Sequence, residues 1–350
     1  MRIRSPFVFG IAALLAATMG GQLRAAGEAY SKIAEIPIGG APNFDYLTVD
    51  SAGKRLYVSH GTEIVVIDTA NNTVVGRIAD TPGVHGIAIA PGGRGFTSNG
   101  RENKVSIVDL KTLQTISKVE TGENPDAILF EPKQKEIYAL NHAGNSATVI
   151  DAATGKVAAT IPLAGTAESG QSDPGLGRVF VNIEDKDSID VIDIATHKVV
   201  ANWSVAPASS PTGMAIDPAT HRVFVGGGKF LVMIDDTTGK VVANAPICGG
   251  TDATFFDPGT KMVFVACRDG HITVAHEDGP NKLTVVQTIP TTFGARTMAL
   301  DVATHRLYTA APNYAPVDPA APAPPAGGGR GRGGPPPIPE TFHVLVYGMK

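Results

Sequence analysis

The chain has little charge, little tryptophan and little cysteine. Of its 350 residues 18% are charged, one is tryptophan and two are cysteine. Two cysteines allow at most one disulfide, and with no CxxCH stretch covalent haem attachment is excluded. HExxH, HxxxH and GxSxG are also missing, so neither the helical zinc motif nor the nucleophile elbow is available. Lysine and arginine number 29 against 33 acidic residues, for a formal net charge of −4. That balance, without a basic patch, gives no pull toward phosphate backbones, and nucleic acid is not expected as a partner. Beyond about Met19 no segment is apolar for the roughly 20 residues that a bilayer crossing takes, so no transmembrane span is expected.

What the chain does have is turn formers and apolar residues. Forty glycines, 26 prolines and 43% hydrophobic content favour an all-β fold with a sizeable core over a helical one. The N-terminus, MRIRSPFVFGIAALLAATMGGQLRAAGEA, sets Arg2 and Arg4 before an apolar stretch and ends in small residues. This is the pattern of an export signal. Residues 1–26 are read as a signal peptide, with cleavage after Ala25, Ala26 or Gly27, and the protein is expected to be periplasmic or secreted. Losing Arg2, Arg4 and Arg24 moves the formal charge from −4 to −7.

Internal repetition decides the fold. The segments RLYVSH, RGFTSN, KEIYALN, RVFVN, RVFVGG, MVFVAC and RLYTAA carry Tyr57, Phe96, Tyr138, Phe180, Phe224, Phe264 and Tyr308, spaced 39 to 44 residues apart. Each unit reads as four short strands separated by turns such as DPATHR and DAATGK, the grammar of a propeller blade. Asp68, Asp109, Asp151, Asp193 and Asp235 recur at steps of 41 or 42. A carboxylate repeated in every blade binds the N–H groups of its own turn and is architectural. The expectation is an all-β, seven-bladed β-propeller of four-stranded antiparallel blades forming a single domain over residues 27–350.

The YVSH, FTSN and YALN segments, with the VVID, SIVD and TVID strands that follow them, resemble the repeat of the YVTN or YncE-like β-propellers. The likeness covers nearly all of the chain from about Ala34 to Tyr347. It implies the fold and leaves function open, because what that family shares is a blade motif. Relatives implied by the same repeat include surface-layer and cell-wall propellers, propellers associated with quinoprotein pathways and, more distantly, lyase and lactonase propellers.

An open ring would expose two strand edges. Blade seven supplies RTMALD and RLYTAA, is interrupted by a Pro/Gly-rich run at about 312–340 expected to be disordered, and resumes with FHVLVYG, Tyr347 being read at the aspartate position. Its fourth strand is missing. KIAEIPIGG aligns with VVANAPICGG, so the strand after the signal is expected to close the ring as the outermost strand of the last blade.

The blade-joining loops and those between second and third strands gather on one face around the channel. They offer Asp45, His85, Asp126, Glu168, Asp252 and Arg296, with His60 and His142 from the second set. Two readings remain open: a polar funnel for a small molecule, metal ion or peptide, or polar groups that line a channel because water fills it. A divalent metal held by His60, His85 and His142 with Asp126 or Glu168 is compatible with the donor types, though no cofactor is required. Cys248 and Cys267 fall on neighbouring blades near the same face, and a disulfide, two buried thiols or a soft-metal pair are all open. Functionally the expectation is a non-catalytic binding or scaffold module, acting as a monomer on a small molecule, a cell-wall component or a protein. The alternatives are a metal-assisted lyase or lactonase, or an accessory of quinone or haem redox systems. Convergence of His85 and two carboxylates within about 5 Å would favour the enzyme-like reading.

Overall fold

The computed structural model describes residues 29–316 and 335–349. The export-signal reading of 1–26 lies outside these residues. So does the central part of the Pro/Gly-rich run. Seven four-stranded antiparallel sheets form a ring. The innermost strands, from blade 1 to blade 7, are Phe44–Asp50, Val84–Ala90, Pro125–Glu131, Ala167–Asp173, Pro211–Asp217, Thr251–Asp257 and Met298–Asp301. Each packs on the innermost strands of its neighbours, and 298–301 meets 44–50, so the circle is complete.

The repeated aromatics explain how the blades adhere. Seven separate apolar clusters are found among the described residues, one at each seam. Tyr57 packs with Val84 and Ile87 of the next blade, Phe180 with Met214, and Phe224 with Phe256 and Val263. All seven aromatics are at most 2% exposed. A ring of about 150–250 Å² buried at each seam adds to the apolar contacts holding adjacent blades together.

The blade aspartates behave as turn residues. Asp68 accepts from the N–H of Ala70 and Asn71, Asp109 from Lys111 and Thr112, and Asp235 from Thr237 and Thr238. These bonds favour the charged form and hold the carboxyls below their usual range, Asp235 at about 2.

The ring closes in the last blade, where Tyr30–Pro37 pairs antiparallel with His343–Met349. One residue of the expected alignment shifts. Leu307 pairs with Tyr347 as Leu56 pairs with Ile67, so Tyr347 occupies the isoleucine position and Gly348 the aspartate position. The reason is topological: the fourth strand arrives from the other end of the chain, and there is no turn for an aspartate to cap.

The ends of the Pro/Gly-rich run are placed, in contrast to the disorder expected over 312–340. Tyr314 bridges Pro337, and its ring meets Phe293 edge-on at 5.1 Å. The Glu340 carboxylate accepts the Gly40 N–H at 2.8 Å. Two histidines of the repeated turns also reach across seams. His305 lies 2.6 Å from Asp257, and His197 lies 2.9 Å from Glu136, each on the preceding blade.

Candidate functional site

At one end of the axis lies a cavity of about 1100 Å³. It is built by one repeated irregularity. In six of the seven innermost strands the register slips near the N-terminal end, and the slipped segments contain Asp45, His85, Asp126, Glu168, Thr212 and Asp252. A bulge leaves a residue out of the ladder and re-aims its side chain. The seventh equivalent, Arg296, lies two residues before its strand, Met298–Asp301. All seven line the cavity.

Five of the bulged residues, with Arg296 and His142, form a continuous polar chain. Arg296 donates from Nε to Asp252 Oδ2 at 2.5 Å, approaches Asp45 Oδ1 at 3.8 Å and lies over the Phe44 ring at 4.9 Å. His85 Nδ1 is 2.7 Å from Asp45 Oδ2 and 3.5 Å from Asp126 Oδ1. His142 Nδ1 is 3.0 Å from Glu168 and 3.8 Å from Asp126 Oδ2. Asp126 therefore sits between two imidazoles. It is 8% exposed, and its Oδ1 has no hydrogen-bond partner.

The donor atoms converge in two overlapping groups, Asp45 with His85 and Asp126, and Asp126 with His142 and Glu168. Within each group they lie within 4.8 Å of one another. Burial beside Asp45 and Glu168 pushes the Asp126 carboxyl up, to about 8, although His85 and His142 oppose the shift. Burial works against charge on His85. The Asp126 charge and the bonds to Asp45 and Asn124 outweigh it and raise the imidazole to about 9.

Of the eight residues expected at the mouth, seven meet there, and His60 does not. It ends the second strand, one strand farther from the axis. Its ring stacks on Phe342 at 4.6 Å, and Nε2 is 2.6 Å from the Ala41 carbonyl oxygen. It borders a separate groove with Glu63 and Arg77.

Tyr46 was not singled out in the sequence. The residues following the other mouth positions are Gly86, Ala127, Ser169, Gly213, Ala253 and Thr297. The odd size of Tyr46 in that set is the signal that could have found it. Its hydroxyl reaches Glu168 Oε2 at 3.5 Å. Its ring borders both the funnel and a more apolar cavity of about 430 Å³ farther along the channel. Burial and four nearby carboxylates keep it a phenol. Tyr314 and Pro335 to Pro337 also line the funnel.

Beside the funnel Cys248 and Cys267 are joined by a disulfide with a Cα–Cα distance of 5.8 Å. It links the end of blade 5 to the second strand of blade 6 across 19 positions. Closing a loop of this length stabilises by roughly 3 kcal/mol. Cys248→Ser is expected to cost about that much in urea unfolding, with thiol titration under denaturing conditions finding no free thiol in the parent before reduction and two after.

Fold and site together define a seven-bladed β-propeller with an acid-rich funnel at one end of its axis. No family model matches the chain. In sequence it is YncE-like. It is 29% identical over 121 residues to the uncharacterized protein YncE of Salmonella typhimurium (strain LT2), covering 33% of this chain and 34% of that protein. With the YncE of Salmonella typhi it shares 28% identity over 97 residues, 27% of this chain and 28% of that one. The chain thus spans about a third of the length of the curated relatives it matches. Among solved structures it superposes on a chain of the Kuenenia stuttgartiensis hydrazine synthase with a TM-score of 0.68 at 19% identity, covering 77% of this chain and 92% of that one. A chain of a mitotic checkpoint complex gives a TM-score of 0.69 at 13% identity, with coverages of 88% and 96%. At these identities the likeness is one of fold. No helix among the described residues is long and apolar enough to cross a membrane.

Proposed function

We propose that this propeller binds a divalent cation in its funnel and uses the cation to capture a small oxygen-donor ligand. The observation that carries the reading is Asp126, buried between His85 and His142 with one carboxylate oxygen left without a hydrogen bond. His85 Nδ1 approaches that oxygen at 3.5 Å without a hydrogen bond, and a divalent cation would satisfy the buried carboxylate more fully. The donor set of carboxylates and imidazoles suits manganese- or zinc-type ions. Among the described residues the lining brings Asp45, Asp126, Glu168, Glu184 and Asp252 together with Arg268 and Arg296, and Arg296 is paired with Asp252. Asn43, Ser210 and Thr212 also line the funnel and offer hydrogen bonds to a ligand held by the ion's remaining positions.

The convergence of His85 with two carboxylates favours a cation-assisted site over a passive wet channel, and the 4.8 Å spread meets the 5 Å criterion. An exported setting fits this reading, since a disulfide persists in an oxidising compartment. The test is calorimetric titration of the full chain with Mn²⁺. The parent is expected to bind one ion in the funnel, and Asp126→Asn to weaken that binding by about 100-fold, the upper end of the range for perturbing a metal site's supporting groups. Equal affinity in parent and variant would remove the proposal.

A further inference from the structure

The far face of the propeller holds a second arrangement of this kind. Asp173 ends the strand on which Glu168 faces the funnel, five residues or about 16 Å farther along. On this face the last acidic residue of an innermost strand commonly meets a group from the next blade. Asp301 takes the Ser51 hydroxyl at 2.5 Å, and Asp257 takes His305.

Two successive seams are built alike. Between blades 5 and 6, Asp217 and Glu277 flank the ammonium of Lys261, which lies 2.8 Å from Asp217 Oδ2 and 3.8 Å from Glu277 Oε2. Between blades 4 and 5 the equivalent residues are Asp173, Asp236 and His221. The equivalence is one of backbone as well as of sequence. Lys261 and His221 both have φ of +58°. The Glu277 N–H donates to the Lys261 carbonyl, and the Asp236 N–H donates to the His221 carbonyl.

At the first of these seams the fold shows what the position takes: a cation between two buried carboxylates. At the second the side chain is an imidazole. Asp173 and Asp236 are each 2% exposed, and both carboxylate oxygens of Asp236 are buried with no hydrogen bond. His221 is half exposed and approaches Asp236 Oδ1 at 3.3 Å. One donor atom from each of the three residues lies within 4.8 Å of the others. Two carboxylates and an imidazole form a set that zinc accepts, and the exposed His221 provides an entry path from solvent.

We propose that Asp173, His221 and Asp236 form a second divalent-cation site, remote from the funnel, in which a zinc ion takes the place filled by the Lys261 ammonium at the next seam. The ion would tie blade 4 to blade 5, because Asp173 belongs to one and the other two ligands to the next. Burial beside Asp173 raises Asp236 to about 6, in keeping with a carboxylate whose charge calls for a cation.

The experiment is Zn²⁺ titration of the full chain by calorimetry, with metal content checked after dialysis. Asp126→Asn, altered only in the funnel, is expected to keep one Zn²⁺ per chain. His221→Lys, which places at this seam the side chain found at the next, is expected to stay folded and to lose that ion, its affinity falling by about 100-fold or more. Asp236→Asn should lose it as well, and His221→Ala serves where the lysine disturbs folding, since the position is half exposed. Zinc bound as tightly when His221→Lys or His221→Ala is added to Asp126→Asn as by Asp126→Asn alone would overturn the proposal. So would an Asp126→Asn variant that binds none.

Discussion

Removing residues 30–37 from the full chain is expected to lower the thermal unfolding midpoint by about 10 °C or more, or to leave no soluble folded protein. Among the described residues this segment alone pairs with one edge of His343–Met349. It contributes to two of the seven seam clusters: Tyr30 packs with Phe264, Leu307 and Tyr347, and Ile36 with Tyr308, Val344 and Val346. Burying each of these side chains stabilises by about 1.5–3 kcal/mol. The Tyr30–Phe264 edge-on pair at 5.0 Å adds about 1 kcal/mol. Together with the ladder that is lost, the change is about 5 kcal/mol or more, a large share of a typical stability of 5–15 kcal/mol. The bare edge would also template association between copies. Circular dichroism melts with light scattering measure both effects, and an unchanged midpoint would show that the ring does not depend on this strand.

Cation affinity in the funnel is expected to rise by at least about tenfold for each pH unit between pH 6 and 8. An ion bound at His85 Nδ1 displaces a proton that the Asp126 charge and the bonds to Asp45 and Asn124 hold up to about pH 9. Releasing this proton alone gives that slope, and the proton that Asp126 holds up to about pH 8 steepens it while the pH stays below both values. Titration in buffers of different ionisation enthalpy counts the protons, and a pH-independent affinity would exclude His85 as a ligand.

The cation-free protein should show the opposite trend. His85 is raised from 6.5 to about 9. Its stabilising contribution is therefore complete below about pH 6.5 and is lost as the pH rises through 9. Asp126 is raised from 3.8 to about 8. The folded state then binds the extra proton between those values, and stability again falls as the pH rises. Asp126→Asn should flatten the lower part of this decline in urea midpoints measured from pH 5 to 9. The turn aspartates act in the other direction. Asp235, held near 2, contributes stability that is lost only as acid takes the pH below the ordinary carboxyl range.

Much of the fold was legible because it repeats. Tyr57 and its six counterparts, and Asp68 with its four, each answer to the same local demand in every blade: a seam to fill, or a turn to bind. Period and residue type then carry the information. The mouth residues were partly legible for the complementary reason, since Asp45, His85, Asp126, Glu168, Thr212, Asp252 and Arg296 occupy one position that changes from blade to blade. His60 was misplaced because loop membership does not say which way a ring turns. Packing on Phe342 and a bond to the Ala41 carbonyl oxygen turned it away from the axis.

The sequence by itself determined the number of blades, the strand that closes them and the residue types available at the mouth, since all of these follow from local periodicity and alignment of repeats. Tertiary structure alone decided which side chains converge. Bulges aim Asp126 between His85 and His142, although 40 and 57 positions separate Asp45 from His85 and His85 from His142. The seam between blades 4 and 5 likewise brings Asp173 to His221 and Asp236. Such distances are set by how blades pack around the axis, and no run of residues along the chain encodes them one at a time.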